Sequence, residues 1–445
     1  MMIVKTKILM CALALSVMAA GCEELDDDPK KYLEPEPDVS LEDVALLLSG
    51  MRMENAHLRE VYDAVTSSSW NGYDEEYMMR DLFVVPGAGV GDDRIPDDAM
   101  MAKRKALGRP VTKVGNEYDN PLRDLIAEAL YRKAETLASK ADGLSGEGAA
   151  MTPERYMSFL QQSDIQIYWP YSEMWDGEEY PVVTFDPDGS STANVGYRLA
   201  EGDDGEPYVQ EIIVDEEFAE EHPVWVINRN EDYSFTSLEL LRMSEPEWGS
   251  GGGEIIVRPK TGTSYMDACR PACLPAAEPG SRAVDKPLQT LVLRDFTMNR
   301  NYDSWFAGAS EFFVKIGGID DFYATTEAEL RLYNPLVTDF VIVVKRSQVG
   351  KPQPFNAVLL SDWTEQLTHC AFMIVEDDGG TRTSWNCSGV VKINSKSYGF
   401  EITFPLNIRD DIVWRGQLAR KYIEENNGAV AHYGDVDLVF EIVEY

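Results

Sequence analysis

The chain has 445 residues, with 40 Lys and Arg against 77 Asp and Glu, for a formal net charge of −37. A field of that sign repels nucleic acid and anionic lipid headgroups, leaving cations, neutral glycans and proteins as partners. At 44% hydrophobic and 10% aromatic residues, a chain of this length can build two or three domains with real cores.

Lys5 and Lys7 precede an apolar run over 8–20 that only Ser16 interrupts. The run falls short of the roughly 20 residues a membrane-spanning helix needs and suits the apolar stretch of an export signal. It ends in Ala19-Ala20-Gly21-Cys22. These residues resemble a bacterial lipobox, with Ala19 standing where Leu is commonest. The resemblance implies removal of residues 1–21 and a diacylglycerol on the Cys22 sulfur. Each buried methylene contributes about 0.8 kcal/mol, so more than one acyl chain anchors a protein without a spanning helix. Glu23-Glu24-Leu25-Asp26-Asp27-Asp28 follows and resembles the acidic tract of surface-exported Bacteroidota lipoproteins. That resemblance implies an outer-membrane lipid anchor facing the cell surface. A solvated spacer is the plainer use of such a run. Residues 22–39 read as a tether in either case.

The element pattern is α+β: a mainly helical N-terminal region, a mixed middle region and a C-terminal antiparallel β-sandwich. An α+β domain is expected over 40–255, a linker over 256–288 and the sandwich-like domain over 289–445. Ser40 followed by Asp43 fits a capping box, and Gly50 a helix stop. Helical spacing runs over 53–65, and the Ser-rich stretch 67–73 and the Gly-Pro-Asp stretch 86–98 read as loops. Asn120-Pro121 opens the clearest helix, with a stripe from Leu122 to Leu137, and Pro153 starts another through Leu160. Strands are expected over 165–169, 182–185 and 223–228. A hairpin is expected with Tyr197 and Tyr208 flanking its turn. Asn71-Gly72-Tyr73-Asp74-Glu75-Glu76-Tyr77 and Tyr168-Trp169-Pro170-Tyr171-Ser172 resemble segments of uncharacterised Bacteroidota lipoproteins, a resemblance that implies no activity.

Beyond the glycine break at 250–253 and the linker, from about 289, the chain is dominated by strands. They are expected over 290–298, 311–316, 327–333, 337–344, 355–360, 370–376, 383–393, 398–405 and 436–443. One helix is expected over 411–426, from Trp414, Leu418 and Tyr422. Four cysteines follow Cys22 and suit two disulfides in an oxidising compartment, with three connectivities open. Asp378-Gly379 is a type I′ hairpin signal. In its register Cys370 faces Cys387 at a non-hydrogen-bonded site, within disulfide reach, and Phe372 faces Trp385. Cys269 and Cys273 then pair across a short loop. A zinc site there lacks further ligands nearby.

Enzyme templates fail. The four histidines form no H-E-x-x-H, and neither a G-x-S-x-G elbow nor a P-loop occurs, so no catalytic residue is assigned. Asp186 and Asp188 follow a strand, and Asp203 and Asp204 lie in the next hairpin turn. Such acidic loops can hold calcium, and solvated turns are the plainer use. Trp169 and Trp175 belong to the densest aromatic cluster, which suits either a core or a sugar-binding face. Trp70 and Tyr73 sit in the Ser-rich loop, where they are harder to bury. The expectation is a membrane-anchored binding module for a glycan or a protein. An exported hydrolase using carboxylates and a structural subunit of a surface complex are the alternatives.

Overall fold

The computed structural model describes residues 39–83, 118, 120–140, 151–187, 189, 191–202, 204–230, 237–239, 241, 256–259, 261–263, 287–378 and 381–445. The expected signal over 1–21, the expected tether up to residue 38 with Cys22, the stretches 86–98 and 250–253, and Cys269 and Cys273 lie outside them. Helix α1 (Leu41–Ser49) starts at the expected capping box. Asp43 donates its backbone N–H to Ser40 Oγ at 3.1 Å, and Ser40 donates its own to Asp43 Oδ2 at 3.1 Å. Helix α2 (Asn55–Trp70) runs further than expected, taking up the serines. Ser67 is buried against the fold, and packing of that kind overrides a weak propensity.

Strand β1 (Glu76–Met78), a short α3 (Met79–Leu82), α4 (Leu122–Lys140) and α5 (Pro153–Gln162) follow, α5 capped by Thr152. Then come β2 (Ile165–Tyr168), β3 (Val182–Phe185), β4 (Ala193–Glu201), β5 (Pro207–Asp215), α6 (Glu216–Glu221) and β6 (Val224–Arg229). The strands form one sheet in the order β1-β2-β6-β3-β4-β5, antiparallel except for the parallel pair β3 and β6. The two-residue period of the strands assigns its faces. Ile165, Ile167, Trp225 and Ile227 meet Leu48, Val61, Ile126 and Leu160 of the helices. Val182, Val224 and Val226 face the other way and are covered by Trp305 and Phe306. Segments 71–77 and 168–172 meet side by side, with Glu76 opposite Tyr168.

Strand β7 (Thr261–Thr263) falls inside the expected linker and pairs with β10 (Leu336–Val344). The remaining elements are β8 (Gln289–Met298), β9 (Ser310–Gly318), α7 (Glu327–Leu330), β11 (Gln353–Leu360), β12 (Leu367–Glu376), β13 (Arg382–Ile393), β14 (Lys396–Asn407), β15 (Asp411–Ala419), α8 (Arg420–Glu425), β16 (Val430–Tyr433) and β17 (Val436–Glu444). The larger sheet runs β14-β13-β12-β9-β10-β7, with β15 also on β12, and the smaller runs β11-β8-β17-β16. They share one core, where Phe296 meets Phe312 with ring centroids 5.1 Å apart and Phe372 meets Phe440 at 5.7 Å. The chain is thus a mixed α+β protein with helices toward the N-terminal side and antiparallel strands at the C-terminal side. Val39–Tyr445 forms one compact unit.

Three expectations fail here. Residues 411–419 are a strand, because a spacing of four is even and fits a two-residue period as well as a helical turn. Trp414, Gly416 and Leu418 lie inward of the exposed Arg415 and Gln417. Residues 327–330 are helical, because Thr325 and Thr326 hydrogen-bond the Glu329 carboxylate and close a turn. The Cys370–Cys387 disulfide is absent, and both are free thiols. Strand β13 pairs with β12 only near Leu367 and His369. From there β15 takes the edge of β12, setting Cys370 opposite Leu418 and Phe372 opposite Gly416. Strand β14 sets Cys387 opposite Ile402 and Trp385 opposite Phe404.

Candidate functional site

Helix α2 ends at Trp70, and the chain turns through Asn71 and Gly72, whose φ of 82° is one that glycine tolerates. The turn leaves Trp70 45% exposed and buries Tyr73 at 2%. Both line a groove of about 430 Å³. Its other wall belongs to the sandwich, from Val343 of β10 across Gln348 to Gln353 and Phe355 of β11. The Tyr73 hydroxyl accepts the Ser237 N–H at 3.3 Å, which fixes the ring at the base of the turn. An exposed indole beside side-chain amides suits a ligand with apolar faces edged by hydroxyls or amides.

Trp169 and Trp175 stand elsewhere. Trp169 is 1% exposed, with its ring centroid 5.7 Å from Trp225 and 5.2 Å from Trp175. Trp175 is half-buried. Its Nε1 donates to the Glu179 carbonyl at 2.8 Å, and the Arg59 guanidinium lies 5.0 Å from its ring centroid. These two rings pack into the core between α2 and the sheet, so the aromatic cluster divides into a core pair and a groove pair.

A charged network lies beneath the groove. Lys345 lines it, donates to Ser69 Oγ and stands 3.7 Å from a Glu75 carboxylate oxygen. Ser172 Oγ donates to the same Glu75 oxygen at 2.8 Å. Burial pushes the Glu75 carboxyl up to about 8, and Asp74 and Glu173 add to the rise while Lys345 opposes it.

Of the acidic residues expected to hold calcium, Asp188 and Asp203 lie outside the described residues. Asp204 accepts the Glu206 N–H at 3.1 Å as a turn-forming side chain. Asp186 lines a second cleft of about 180 Å³, together with Asp74, Glu76, Arg229 and Asp303. Among the described residues, the acidic side chains that meet closely enough to hold an ion are Asp303, Glu376 and Asp378. One oxygen from each lies within 4.8 Å of the others. Burial pushes all three carboxyls up, and each repels its acidic neighbours, Asp410 and Asp411 among them. No local spacing marks this group, because Asp303 arrives from the β8–β9 loop and the other two from the end of β12.

The chain matches no protein-family model, no curated protein and no solved structure. Among the described residues no helix is long and apolar enough to cross a membrane.

Proposed function

We propose that this is an exported, lipid-anchored binding module that captures a neutral glycan in the groove beside Trp70. The exposed indole over that groove carries the reading. A pyranose ring presents an apolar face to an aromatic ring and hydroxyls at its rim, and Gln348 and Gln353 stand where such hydroxyls would be met. The net charge of −37 favours a neutral or cationic ligand over an anionic one. Anchoring rests on the lipobox-like Ala19-Ala20-Gly21-Cys22 and surface exposure on the acidic tract after it.

A glycan array followed by calorimetry on wild type and Trp70→Ala tests the binding reading. Loss of at least about tenfold in affinity, roughly 1.4 kcal/mol, with an unchanged melting temperature supports it. Binding that survives the substitution intact overturns it. Uptake of labelled fatty acid by wild type and not by Cys22→Ala tests the anchor. Proteinase treatment of intact cells tests its orientation, and full protection would place the protein inside.

A further inference from the structure

The loop between β8 and β9 carries Asp303 to the end of β12, where Glu376 closes the strand and Asp378 follows it. Glu376 is 1% exposed, and among the described residues neither of its carboxylate oxygens meets a donor. Asp303 Oδ2 is likewise buried without one. Buried carboxylates are otherwise met by donors, and leaving one unmet is costly. Asp303 draws on the Ser310 hydroxyl, and the other donors nearby serve other acceptors. The Arg346 guanidinium binds Glu216 at 2.6 Å and the carbonyls of Asp303 and Gly308 at 3.4 and 3.2 Å. Asn407 donates its side-chain amide to Asp377 at 3.0 Å and its backbone N–H to Asp410 at 2.7 Å. Glu376 therefore points two lone oxygens into a group of carboxylates.

We infer that Asp303, Glu376 and Asp378 bind a hard divalent cation, calcium in the first place. Calcium takes oxygens at 2.3–2.6 Å, so two ligands on opposite sides of one ion stand roughly 5 Å apart. The oxygens of this group lie within 4.8 Å of one another, inside that span. Three carboxylates can supply up to six oxygens, and water completes the six to eight that calcium takes. Mixed backbone origins, a loop, a strand end and a turn, suit the flexible geometry of calcium better than the strict octahedron of magnesium. The rival occupant of the site is a proton shared between Asp303 and Glu376.

The experiment is calorimetric titration and thermal melting of the full chain, stripped with a chelator, against calcium chloride and magnesium chloride. Wild type is expected to bind one calcium with submillimolar affinity and to melt higher when it is present. Glu376→Gln and Asp378→Asn are each expected to lower that affinity at least tenfold. The amide introduced by Glu376→Gln can donate to Asp303 where the acid shared a proton, so this variant is expected to melt no lower than chelator-treated wild type. That keeps the loss of response separate from loss of folding. No heat and no shift in melting temperature at about 10 mM calcium would overturn the inference in favour of the shared proton. An equal calcium response in wild type and both variants would overturn it in favour of a site elsewhere.

Discussion

Glu60 provides the sharpest test of the helical half. It lies in α2 and is 1% exposed. One oxygen accepts the Leu122 N–H at 2.7 Å, at the start of α4, and the other accepts from the Tyr77 hydroxyl at 3.4 Å. Burial pushes its carboxyl up from 4.5 to about 7, against the pull of those two hydrogen bonds and of Arg123, while Asp124 adds to the rise. The folded protein therefore holds this proton more tightly than the unfolded chain. The resulting stability is fully present below pH 4.5 and is lost as the pH rises through 7. At 1.36 kcal/mol for each pH unit the whole effect is about 3 kcal/mol. Glu60→Gln keeps an acceptor for Leu122 and cannot ionise. The assay is urea unfolding of both proteins at pH 4.5 and pH 8. The variant is expected to match wild type at the lower pH and to exceed it at the higher by up to about 3 kcal/mol. Glu75 titrates in both proteins and cancels in the comparison. A gap that stays constant within about 0.5 kcal/mol between the two pH values would refute the assignment of this proton to Glu60.

Trp305→Ala is expected to cost about 3–5 kcal/mol in urea unfolding. The ring is 3% exposed, packs on Phe306 and donates to the Thr192 carbonyl at 3.1 Å. Gly389→Ala is expected to cost about 1–3 kcal/mol, because the new methyl would fall 2.2 Å from the Phe400 ring. Phe400→Leu in the same chain should recover part of that loss, measured as a double-mutant cycle. Burial pushes the Cys370 and Cys387 thiols up to about 12, so both should resist a thiol reagent in the native state and react on unfolding. A linked 370–387 peptide in a non-reducing digest would contradict the strand register.

What the sequence discloses follows the range of the interaction that decides each feature. The capping box at Ser40 is settled within four residues, and its helix is legible. Strands such as Gln289–Met298 hold a short apolar run with β-branched residues and are legible too. The β12–β13 hairpin misleads because its Asp-Gly turn is a local signal, whereas the edge of β12 is contested by β15 from much later in the chain. Nothing near Asp378 records that competitor. The candidate groove is half legible. Trp70 and Tyr73 stand out as aromatics in a polar stretch, yet only the fold separates them from Trp169 and Trp175, whose composition is alike and whose neighbours are core. The carboxylates of Asp303, Glu376 and Asp378 converge through tertiary contacts alone, and an acidic chain hides any three of its acids among the rest.

The Trp70 groove belongs to neither half of the molecule. One lip is the end of a helix that packs on the first sheet, and the other is two strands of the sandwich. A molecule lodged between them would act as a rivet, its hold depending on the spacing of two separately built walls. Cutting the chain into its apparent halves would leave one lip on each piece.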